Sequence, residues 1–114
     1  MLILKQVQIK SESANLDLDQ IKANASEAES FLKMLANKNR LMILCSLIEK
    51  ECSVNELNQS VPLAQSALSQ HLAALRKAEL VATRREAQTI YYSVVDLRVK
   101  QIIEKMYEFF CVTE

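Results

Sequence analysis

The side chains best equipped for chemistry in this chain are gathered between Gln65 and Gln88. Gln65, Ser66, Ser69, Gln70 and Arg76 share one side of a helical repeat, while Leu68, Leu72 and Leu75, spaced by four and three, take the other. Glutamine and serine carry donors and acceptors on short stems, and arginine adds a cation. That set can read base edges and grip phosphates. His71, the only histidine, lies on the same helix and is assigned to DNA contact or to packing. Arg84, Arg85 and Gln88 come next, at positions expected to touch phosphate or the minor groove. Three thiols remain, Cys45, Cys52 and Cys111. Cys45 and Cys111 sit on apolar stripes, where inert core packing and reactive chemistry are both open readings. No nucleophile–base pair, phosphate-binding glycine loop or carboxylate pair on a shared face is present, so the chain does not read as an enzyme.

Residues Ser53 to Ser93 have the order needed to position the reading side chains. Val54, Leu57 and Val61 lay an apolar stripe along a short helix, and Pro62, the only proline, stops it. A turn leads into the Gln65 to Arg76 helix. Two β-prone runs, Leu80 to Arg85 and Thr89 to Val94, then flank Glu86-Ala87-Gln88 as a hairpin with a basic tip. The expected fold is mostly α with a small β-hairpin, a winged helix-turn-helix whose second helix enters the major groove of double-stranded DNA. Upstream, Ser26 with Glu29 predicts a capping box opening a helix that buries Phe31, Leu32, Met34 and Leu35. Asn37-Lys38-Asn39 breaks it, and a helix from about Arg40 to Glu49 turns Leu41, Met42, Leu44, Cys45, Leu47 and Ile48 inward. Residues 1–24 read as an N-terminal arm and residues 25–114 as the folded domain. The last helix, opened by Asp96, carries Val99, Ile102, Ile103, Met106, Tyr107 and Phe110, a stripe wider than one small domain needs. Phe31, Leu35, Ile103, Met106, Tyr107 and Phe110 are therefore expected at the interface of a two-fold homodimer that reads a palindrome.

Composition bounds the alternatives. With 114 residues, 50% hydrophobic and only 5% aromatic, the chain makes one helical domain. It has no glycine, so its turns must be made by other residues. The formal net charge is zero, yet Arg76, Lys77, Arg84 and Arg85 against Glu79 leave a local excess of positive charge. DNA affinity is accordingly expected to depend on salt. No run approaches the roughly 20 apolar residues of a membrane span. The opening Met1 to Val7 is too short for a secretory core, so a cytoplasmic location without a structural disulfide framework is expected.

Three stretches in this order resemble the ArsR/SmtB family of dimeric winged-helix repressors: Leu35 to Leu44, Ser66 to Arg76, and Arg84 to Tyr92. Many of that family sense metals. One of their sites resembles Cys-Val-Cys, which here is Ser53-Val54-Asn55, and the other falls on Asp96, Arg98, Phe109 and Val112. Neither supplies the roughly four N, O or S ligands of zinc, so no metal or cofactor is expected. The resemblance extends to the persulfide- and redox-sensing branch. It implies that Cys45 and Cys111 form a di- or polysulfide bridge that alters operator binding, with low-molecular-weight persulfides as inducer and Cys52 a bystander. The alternatives are the same DNA-binding dimer without a thiol switch, acting as an antirepressor at virulence promoters or released by another ligand, and a helical interaction module that has lost DNA binding.

Overall fold

The computed structural model describes residues 16–112. The opening Met1 to Val7, and most of the expected arm, lie outside that range. The chain divides into two units after Leu32. The first is represented by most of helix α1 (Leu18–Leu35), which opens on Asp17: its carboxylate accepts the N–H of Asp19 at 2.9 Å and of Gln20 at 3.4 Å. The expected cap at Ser26 is therefore corrected, since Ser26 lies inside a helix already begun, and the expected arm boundary at residue 24 falls within the same helix. Asp17 is as good a capping residue as Ser26, and it comes first.

The second unit holds the remaining elements. Helices α2 (Lys38–Glu49), α3 (Val54–Ser60), α4 (Gln65–Lys77) and α5 (Leu97–Phe110) surround a three-stranded antiparallel sheet of β1 (Cys52–Ser53), β2 (Val81–Glu86) and β3 (Thr89–Val94), in the order β1-β3-β2. The third strand, β1, adds to the expected hairpin. Too short to show a period of its own, it exists because Cys52 and Ser53 pair with Tyr92 and Tyr91. Ile43, Leu44, Leu57, Leu68, Leu72, Leu75 and Val99 are completely buried and form the core. Among the described residues no helix is long and apolar enough to cross a membrane.

Caps and turns set the helix ends. Asn37 accepts the N–H groups of Asn39 and Arg40 and opens α2. Ser53 and Glu56 form a reciprocal capping box on α3. The Asn58 amide donates to the carbonyl of Leu63 at 2.8 Å, bracing the turn that contains Pro62. At the far end of α4 the N–H of Leu80 returns to Leu75 and that of Glu79 to Arg76, a Schellman closure with Glu79 at φ 64°. This closure aims the chain from α4 into β2. A chain without glycine must hold a side chain in the left-handed region there, at a cost of about 1–2 kcal/mol. Glu79→Gly is expected to raise the unfolding free energy by about 1 kcal/mol, after allowance for the freer unfolded chain, and thermal denaturation would measure it. A lower melting temperature would contradict this account of the turn.

Candidate nucleic-acid interface and thiol pair

Helix α4 shows one face because its other face is consumed. Leu68, Leu72 and Leu75 are completely buried, with α3 and β2 packed against the helix. Burying each leucine is worth about 1.5–3 kcal/mol, which fixes the rotation of the helix about its axis. Gln65, Ser66, Ser69, Gln70 and Arg76 consequently emerge exposed and together. Ala64, at the N-cap, has no side-chain acceptor to offer the first N–H groups. They remain available to an external oxygen such as a phosphate's.

His71 stands at the edge of this face, half-buried. Its Nδ1 accepts a hydrogen bond from Arg40 Nε at 3.2 Å, while Arg40 Nη1 also donates to the carbonyl of Met34 at 3.4 Å. A neutral ring accepting at Nδ1 carries its proton on Nε2. His71 thus ties α4 to α2, a role for Arg40 that sequence patterning does not reveal.

On the wing, Arg84, Arg85 and Gln88 are all exposed. Its tip closes through Ala87 at φ 57°, a positive value at the first of two loop residues. Arg84 pairs with Glu51 and Glu86. Hydrogen bonding from Arg84 holds the Glu51 carboxyl below its usual range, and the reciprocal bonds raise the guanidinium further above its own. Both carboxylates engage Arg84, and neither pairs with Arg85. The basic tip expected from sequence is therefore corrected at Arg84, whose charge is offset by two carboxylates because Glu51 arrives from outside the hairpin.

Cys45 lies on α2 and Cys111 just after the last turn of α5, both exposed, and the two helices pack together. Desolvation by the surrounding protein pushes the Cys45 thiol up, followed by the charge of Cys111 and then that of Glu49. Cys52 is buried in β1 and its thiol approaches the carbonyl of Lys50 at 3.5 Å. Desolvation is also the first cause that raises its pKa.

The positions matched to family metal sites are occupied by fold contacts. Ser53 caps α3, while Asp96 caps α5 and pairs with the Arg98 guanidinium at 2.7 Å. That guanidinium, first among the causes, holds the Asp96 carboxyl below its usual range. The residues assigned to a dimer interface separate into two groups. Leu35 and Ile103 are only 5% and 4% exposed within the single chain, so core packing uses them and they offer a partner almost no surface. This corrects their assignment, since the stripe on α5 serves the chain's own core in its first half. Phe31 is half-buried, and Met106, Tyr107 and Phe110 are exposed. Phe109, not assigned from sequence, is also exposed and stacks edge-on against Phe110 with ring centroids 6.3 Å apart.

Residues 37–83 match the bacterial regulatory protein family arsR. The chain is 45% identical over 100 residues to the transcriptional activator HlyU of Vibrio cholerae, spanning 88% of this chain and 93% of that protein. It is 36% identical over 96 residues to the biofilm growth-associated repressor of Xylella fastidiosa, 84% of each. Among solved structures, reduced HlyU from Vibrio cholerae superposes with a TM-score of 0.77 at 46% identity, covering 82% of this chain and 98% of that one. The repressor BigR from Xylella fastidiosa gives 0.79 at 35% identity, covering 86% and 100%.

Proposed function

The chain belongs to the arsR family of bacterial regulatory proteins and is a transcriptional regulator, and on that premise we propose that it binds double-stranded operator DNA as a two-fold homodimer switched by its cysteines. The observation that carries the DNA reading is the polar face of α4, exposed and backed by three completely buried leucines. Gln65, Ser66, Ser69 and Gln70 reach base edges in the major groove, and Arg76 with the wing holds the backbone. The exposed apolar side chains Met106, Tyr107, Phe109 and Phe110 support a partner subunit on α5. Two copies would place two reading helices on a palindrome. Relatives are named both as an activator and as a repressor. Occlusion of a promoter gives repression, and displacement of another bound protein gives antirepression.

In the switch, a low-molecular-weight persulfide transfers its outer sulfur to one cysteine and leaves as a thiol. Attack by the second cysteine on that new persulfide closes a disulfide and releases hydrogen sulfide. Additional persulfide molecules lengthen the bridge, each leaving one further thiol. A direct disulfide needs Cα atoms about 4.4–6.8 Å apart, and added sulfur spans more. The exposure of Cys45 and Cys111 and the packing of α2 on α5 support this reading. A bridge between α2 and α5 would strain the helix that Arg40 links to the reading helix. One observation favours release by another ligand: an open pocket of about 250 Å³ between α2, β3 and the start of α5, lined by Leu47, Ile48, Val94, Val95, Asp96, Leu97 and Lys100.

The test is a binding titration with duplexes selected by the protein from a random-sequence pool. Affinity is expected to fall with salt along a log–log slope of about −0.9 for each phosphate contact, several per subunit. Ser69→Ala should weaken selected duplexes while leaving the salt slope unchanged. Failure to enrich any sequence, or affinity indifferent to salt, would reject DNA recognition by this face.

A further inference from the structure

Arg84 and Arg85 are neighbours on β2, and alternation along a strand sends them to opposite faces of the sheet. Arg84 pairs across β3 with Tyr91, which pairs in turn with Ser53 of β1. The Arg84 guanidinium lies 4.8 Å from the centre of the Tyr91 ring. Crossing that ring, its Nε donates to both Glu51 carboxylate oxygens at 2.9 and 3.0 Å, Nη2 donates to the same carboxylate, and Nη1 reaches Glu86 at 2.9 Å. One side chain thus spans all three strands and joins the wing to the residue that leads into β1. Arg85 has no ion pair or side-chain hydrogen bond among the described residues.

We infer that Arg84 is a positioning residue that latches the wing to the body of the domain through Glu51 and Tyr91, and that Arg85 is the wing's phosphate contact. The division follows from charge as well as geometry. A guanidinium with a carboxylate at each end has its field cancelled and its donors engaged, so it contributes little to attracting a phosphate. An arginine on the opposite face with no partner keeps both field and donors. Without the latch, a hairpin of two six-residue strands would hold its own register and lose its angle to β1. This inference rests on the DNA reading above for the role of Arg85, whereas the latch can be read without DNA.

The experiment uses the full chain with Glu51→Gln, Arg84→Met, the double variant and Arg85→Ala, each melted first to show that it folds. Hydrogen exchange of the wing amides in free protein is expected to accelerate about 5-fold in Arg84→Met and in Glu51→Gln, and no further in the double variant. Unchanged exchange would overturn the latch. With duplexes selected by the wild type, Arg85→Ala should flatten the salt slope by about 0.9, and Arg84→Met should weaken binding several-fold at constant slope. Tighter binding by Glu51→Gln with a flattened slope in Arg84→Met would instead make Arg84 the phosphate contact and overturn the inference. Should the wild type select no duplex, the DNA reading and Arg85's role fail together, while hydrogen exchange still decides the latch.

Discussion

Leu72→Ala is expected to lower the free energy of unfolding by about 3–5 kcal/mol, a large share of the roughly 5–15 kcal/mol of a domain this size. Leu72 is completely buried between Leu68 and Leu75, themselves completely buried, in the middle of α4. Removing its branched end forfeits the transfer energy and leaves a cavity that two rigidly packed neighbours cannot fill. The melting temperature should fall by at least about 10 °C. Ser69→Ala provides the opposite case on the same helix, because Ser69 is exposed and its change should stay within about 0.5 kcal/mol. Urea denaturation of both, beside the binding titration, separates the two faces: one variant loses stability, the other loses DNA affinity at full stability. A Leu72→Ala cost below about 1 kcal/mol would show that the core does not lock the helix.

The second large effect concerns the switch. Wild-type protein treated with a low-molecular-weight persulfide is expected to lose about 10-fold or more in operator affinity, and Cys45→Ser and Cys111→Ser to bind as the reduced wild type does and lose nothing on treatment. Loss of the response in both variants is the signature of a pair; its retention in Cys45→Ser would sink the two-thiol reading. The pH dependence has a definite sign. The thiolate is the attacking species, and desolvation first, then the Cys111 charge and Glu49, push the Cys45 pKa above its ordinary 9.0. At neutral pH Cys45 is therefore more fully protonated than a free thiol, and its alkylation should accelerate about tenfold per unit until pH passes the raised value. Peptide-resolved alkylation at fixed neutral pH should find buried Cys52 lagging behind exposed Cys45.

The local signals were strong wherever a single element had to satisfy itself. Leucine spacing predicts the buried side of α4, and the Asn37 break and Pro62 predict the ends of their helices. The Ser53–Glu56 capping box is also legible by its spacing. Signals failed where two segments offered equal local solutions. Asp17 and Ser26 both qualify as caps, and only the helix's actual start distinguishes them.

The amino-acid sequence by itself determined the order of the core helices and the hairpin, the polar face of α4 and the winged helix-turn-helix architecture, because helix and strand periods, caps and breakers act over a few residues. Tertiary structure alone decided which of the exposed-looking groups were free. Arg84 meets Glu51 across 33 residues and His71 meets Arg40 across 31, so no local pattern reports either contact. Leu35 and Ile103 passed from partner surface to core by the same rule, and β1 became a strand only through its partners on β3. Charge pairing and burial depend on chain segments brought together by folding, whereas periodicity depends on the segment itself; that difference in range is why the reading helix was legible and the wing latch was not.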